Sequence, residues 1–95
     1  MKIPKIIKMF GYKWKVVLNN KVGGSFVWET KTITLNKDHA EEILLHELME
    51  AVLVHLNYRF YGQEQGMELT FHFNHTGLCN VHKQFFQILK DNKLI

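Results

Sequence analysis

The sequence predicts an α+β domain, and three observations carry that expectation. Residues 12–19 alternate with a period of two, residues 38–61 combine a capping pattern with a long apolar run, and residues 76–91 repeat apolar groups at helical spacing. With 95 residues, 46% hydrophobic and 22% charged, the chain has room for one core, so residues 1–95 are read as a single domain.

Taken in order, Tyr12, Trp14, Val16 and Leu18 form one face of a half-buried strand and Lys13, Lys15, Val17 and Asn19 the other. Residues 3–10 read as part of the same extended segment, with Gly11 as a bulge. Asn19-Asn20 and Gly23-Gly24 are turn chemistry, and two short β-type runs follow, Ser25 to Trp28 and Thr32 to Leu35, joined as a hairpin through 29–31. The first third is thus expected to be an antiparallel meander. Asp38 as a cap, with Glu41 three residues on, opens a helix expected to reach Tyr61 and stop at Gly62. At 100° per residue that helix is apolar nearly all round, as a central, buried element would be. Gln63 to Gly66 read as a loop. Met67 to Asn74 alternate again, with Leu69, Phe71 and Phe73 expected to face inward, and Thr76 to Asp91 form the last helix. The expected order is β-β-β-α-β-α. Trp14, Trp28, Phe71, Phe73, Phe85 and Phe86 read as core rather than as a base-stacking platform.

Composition narrows the function classes. The longest uninterrupted apolar run, Ala51 to Val54, is far short of the roughly 20 residues of a membrane span, and the start lacks the hydrophobic stretch of a signal peptide. The single cysteine, Cys79, excludes an intrachain disulfide and points to a reducing cytosol. Twelve Lys and Arg against nine Asp and Glu give a net charge of +3, and Lys2, Lys5, Lys8, Lys13, Lys15 and Lys21 all precede the first acid, Glu29. This block suits the solvent face of an edge strand better than a nucleic-acid surface.

Chemistry concentrates in His46-Glu47-Leu48-Met49-Glu50. On a helix His46 and Glu50 lie one turn apart on one face, where an imidazole and a carboxylate can close on one cation, while Glu47 sits about 100° further round. That is the arrangement of a hydrolytic zinc site, with two ligands and a neighbouring carboxylate placed to accept a proton from water. His39 lies on the same face but roughly 10 Å along the axis, and His55 projects from the opposite face as a packed histidine. Residues left open as further donors are His72, His75, Cys79 and His82. Tyr58, Tyr61, His72 and His82 are equal candidates for donating to an oxyanion.

The stretch Ile43-Leu44-Leu45-His46-Glu47-Leu48-Met49-Glu50-Ala51-Val52, preceded by Thr32-Ile33-Thr34-Leu35-Asn36, resembles the small phage- and prophage-encoded zincin-like metallopeptidases, whose helix reads leucine-leucine-His-Glu-x-x-Glu-Ala-Ile. His75 followed by Phe86-Gln87-Ile88-Leu89-Lys90-Asp91-Asn92 is similar to that family's closing helix. The resemblance covers most of the chain from Ser25 onward. It implies a minimal zincin-like fold, a twisted, antiparallel-rich sheet packed on the motif helix with a C-terminal helix beside it. It further implies a zinc-dependent peptidase in which His46, Glu50 and His75 hold Zn2+ and Glu47 is the general base. His75 also suits the role by lying where strand gives way to helix. The implied partner is a peptide or protein substrate, with neither nucleic acid nor a membrane, and the implied setting is the cytoplasm of a bacterial host or phage-infected cell. Two other readings stand beside it: a non-enzymatic metal-stabilised interaction module, and a nucleic-acid-binding protein using the basic first strand.

Overall fold

In the computed structural model, which describes residues 1–20, 23–61 and 69–95, the lysine-rich start is a hairpin and not one long strand. Strands β1 (Ile6–Met9) and β2 (Tyr12–Asn19) pair antiparallel, with Met9 opposite Tyr12. The two loop residues, Phe10 and Gly11, have φ of 57° and 79°, as the tight hairpin turn that matches strand twist requires. Gly11 therefore makes a turn, not the expected bulge.

β3 (Gly24–Val27) and β4 (Thr32–Asn36) form the predicted hairpin, but the sheet they join is not a meander. Its order is β1-β2-β4-β3, and β4 runs parallel to β2, so the sheet is mixed. The reason lies in the apolar content of β4. On the face that carries Ile33 and Leu35 both are buried, whereas Phe26 and Gly24, the β3 residues paired with them, are only half-buried, so β4 takes the interior place and β3 the edge.

A 3-10 turn, 37–39, leads into helix α1 (Ala40–His55). Asn36, not Asp38, does the capping, its side chain accepting from the Asp38 backbone N–H at 2.9 Å, and no side-chain cap bonds the start of α1 itself. The helix also ends earlier than its apolar pattern suggests. Asn57 adopts φ of 61°, the Tyr58 N–H reaches the Leu53 carbonyl at 2.8 Å and the Asn57 N–H the Val54 carbonyl at 3.0 Å, a left-handed stop that asparagine supports almost as well as glycine. Arg59–Tyr61 is then strand β5, paired antiparallel with β6 (Leu69–Phe71). Gly62, the 63–66 loop and Met67 lie outside the described residues.

Helix α2 (His75–Asp91) is capped by Asn74, whose side chain accepts from the Gly77 N–H at 2.9 Å. Helix α1 packs on β3, β4 and α2, and α2 reaches β1. The core is formed by Ile7, Met9, Trp14, Ile33 and Leu35 from the sheet, Leu44, Leu48, Ala51 and Val52 from α1, and Val81 and Ile88 from α2. Each large aliphatic among them contributes about 1.5–3 kcal/mol of burial. Trp14 also donates its indole N–H to the Met9 carbonyl at 3.1 Å, which satisfies its one polar atom inside the core. The expected inward face of β6 is not observed: Leu69, Phe71 and Phe73 are exposed, as are Phe86 and Leu78 of α2. Among the described residues β6 is three residues long and pairs with β5 alone, outside the four-stranded sheet that carries the core.

The first strand is fastened to the last helix by one side chain. Asn92 accepts from the Lys8 N–H at 2.7 Å and donates to the Lys8 carbonyl at 2.9 Å, so its amide stands in for a neighbouring strand at the β1 edge.

Candidate metal centre

The motif falls where α1 crosses the β3 and β4 side of the sheet. His46 and Glu50 point from the same face, with Nε2 and Oε2 3.2 Å apart; the His46 side chain is 70% exposed and that of Glu50 16%. Glu47, turned toward the sheet, is the one buried charged residue among those described. One ligand atom from each of His46, Glu47 and Glu50 lies within 4.8 Å of the others, the one such group of histidine, cysteine and acidic side chains among the described residues.

Helix geometry explains the pairing of His46 with Glu50, but Glu47 needs a further condition. Its side chain lies under β3, and β3 can come that close because residue 24 is glycine. A Cβ on Gly24 would overlap Ile43 Cγ2 and stand 3.2 Å from Glu47 Oε1. The resulting cleft, about 320 Å³, lies between Gly23 and Gly24 on one side and Glu42, Ile43, His46 and Glu47 on the other. Burial, reinforced by the negative charge of Glu50, pushes the Glu47 carboxyl above its ordinary range, with His46 and Arg59 pulling the other way.

Sequence reasoning missed Arg59, because it placed that residue inside the helix. Once Asn57 ends the helix, the chain turns back and Arg59 donates from Nη1 to Glu50 Oε1 at 3.0 Å. Its guanidinium also lies over the Phe26 ring at 5.8 Å. The available signal was Asn57 itself, followed by the β-type run Arg59-Phe60-Tyr61.

The other expected donors stand outside the cluster. His75 is exposed at the first position of α2, with Nδ1 3.9 Å from Cys79 Sγ, and His82 stacks on Phe86 on the same helix. The His72 N–H bonds to the Tyr58 carbonyl at 3.0 Å, in line with the β5 and β6 pairing. His39 lies in the 3-10 turn and is exposed, and His55, expected to be packed or hydrogen-bonded, is exposed with its ring stacked on Phe10, centroids 4.0 Å apart. Tyr58 packs against Phe73.

No family model, curated protein or solved structure matches the chain. Among the described residues no helix is long and apolar enough to cross a membrane.

The donor set suits a divalent transition metal. One imidazole nitrogen with carboxylate oxygens is a set that zinc accepts, and two donors about 2.0–2.1 Å from a tetrahedral centre are about 3.3 Å apart. The His46 and Glu50 atoms, which face each other directly at 3.2 Å, are at a separation compatible with that condition.

Proposed function

We propose that this protein is a zinc-dependent, peptidase-like hydrolase of the phage zincin-like type, acting on a peptide or protein substrate. The observation that carries the proposal is the convergence of His46, Glu47 and Glu50, with the carboxylate between the two ligands buried and its proton affinity raised. His46 through Nε2 and Glu50 through Oε2 would hold the metal, and a third donor is proposed at His75, from the first turn of α2. Zinc, when bound, supplies Lewis acidity at the mouth of the cleft.

Glu47 takes the proton from the attacking water as the new C–O bond forms. It then delivers that proton to the amide nitrogen as the C–N bond breaks, so that the amine leaves neutral. A carboxylate whose pKa is pushed upward by burial is a stronger base than one in water, and it holds the proton long enough to return it. The glycine pair at 23 and 24 lines the same cleft as Glu47 and His46, and the absence of side chains there keeps that cleft from being filled.

Replacing Glu47 by Gln tests the proposal, since it preserves size but removes proton acceptance. Zinc content, read by native mass spectrometry, should be unchanged, and hydrolysis of a peptide library should fall by at least about a hundredfold. Undiminished turnover in E47Q would dismiss the role of Glu47. Zinc retained by a wild-type chain that cleaves nothing would favour the metal-stabilised module.

A further inference from the structure

We infer that Arg59 is a positioning residue for this metal site: it holds one oxygen of Glu50 so that the other is left for the cation. The inference rests on the metal reading of His46 and Glu50 and concerns a residue that the motif does not contain. The Glu50 carboxylate is divided between two neighbours. Oε1 accepts from Arg59 Nη1 at 3.0 Å, and Oε2 faces His46 Nε2 at 3.2 Å. Both partners of the ion pair are largely covered, with side-chain exposures of 25% for Arg59 and 16% for Glu50. The guanidinium is steadied from a third element by the Phe26 ring. Strand β3, helix α1 and strand β5 therefore meet at this one ion pair.

A free carboxylate on a helix turns about its last bond and can offer a cation one oxygen or two. With Oε1 committed to Arg59, Glu50 is a one-oxygen ligand whose orientation is set before the metal arrives. Hydrogen-bonded partners of metal ligands typically account for about 10–100-fold in affinity. The competing role, a counter-charge for the acids at 47 and 50, makes the opposite prediction. A guanidinium beside a cation repels it, so removing a mere counter-charge would tighten zinc binding.

The experiment uses the full chain without an affinity tag, with zinc affinity measured at neutral pH by competition with a chromophoric chelator. R59Q is expected to bind zinc about 10–100-fold more weakly than the wild type. R59K, which keeps the charge but lacks the planar fork, should fall between them. In the cobalt-substituted protein, R59Q should also lose visible absorption intensity, as Glu50 closes on the metal with both oxygens and the coordination number rises. Equal or tighter zinc binding by R59Q, with an unchanged cobalt spectrum, would overturn the role of Arg59 while leaving the metal reading intact. A wild-type chain that binds no zinc would overturn both. Should R59Q fail to fold when metal-free, R59K carries the test, and wild-type affinity in that variant rejects the inference.

Discussion

Both helices carry metal-ligating side chains one turn apart, His46 with Glu50 on α1 and His75 with Cys79 on α2, yet the two pairs differ in what surrounds them. On α1 the pair is 3.2 Å apart, with a buried acid beside it and Arg59 behind it. On α2 the pair is 3.9 Å apart, exposed, and joined by no third donor among the described residues. Helical spacing is thus common to both and decides nothing by itself. What distinguishes α1 is its place against β3, where a glycine admits the acid, and its early end, which returns an arginine to the same spot.

The comparison can be broken most directly at the ligands. His46→Ala should remove zinc binding, a loss of at least about a hundredfold, while Cys79→Ser leaves it within a factor of about two; isothermal titration of both variants checks this. Equal losses would mean that Cys79 is itself a ligand. Gly24→Ala tests the close approach of β3. The added methyl must displace Ile43 or Glu47, and urea unfolding should show a loss of about 1–3 kcal/mol, whereas wild-type stability would mean that β3 moves freely. His75→Ala sharpens the contrast, since a third donor from α2 predicts about a tenfold fall in zinc affinity. Unchanged affinity would assign the site to α1 alone.

The smallest effect concerns pH. Glu47 has its folded pKa raised above the ordinary 4.5, so between those two values the folded state binds more protons than the unfolded one. Its contribution is fully present below the unfolded pKa and is lost as pH rises through the folded pKa. In metal-free protein E47Q should therefore flatten the decline of stability that begins near pH 4.5, and should be the more stable of the two at neutral pH. A slope identical to that of the wild type, in chemical unfolding across this range, would contradict the burial of Glu47.

Local patterns were legible in the sequence where short-range physics decides the outcome. The β3 and β4 hairpin, helix α2 and the shared face of His46 and Glu50 all follow from periodicities of two and 3.6. Long-range competition was not legible. The parallel pairing of β2 with β4 depends on which strand buries more apolar surface, a comparison between Ile33 with Leu35 and Phe26 with Gly24 that neither segment carries alone. The end of α1 turned on Asn57 taking a left-handed conformation in the middle of an apolar pattern that continues to Tyr61. Missing that stop hid Arg59, which pairs with Glu50 from outside the motif. Exposure of Leu69, Phe71 and Phe73 has the same origin, since alternation identifies two faces and does not say whether either is covered; His72 and Asn74 on the other face are exposed too.

The link between Lys8 and Asn92 joins positions 84 apart, and it has a consequence for how the protein is made. A chain leaving the ribosome presents β1 and β2 well before residue 92. Until residue 92 emerges, the outer edge of β1 has no amide to satisfy it, although β2 and β4 are already available to pair. Ribosome-stalled chains that stop short of Asn92 should therefore associate edge to edge, and those extended beyond it should remain separate.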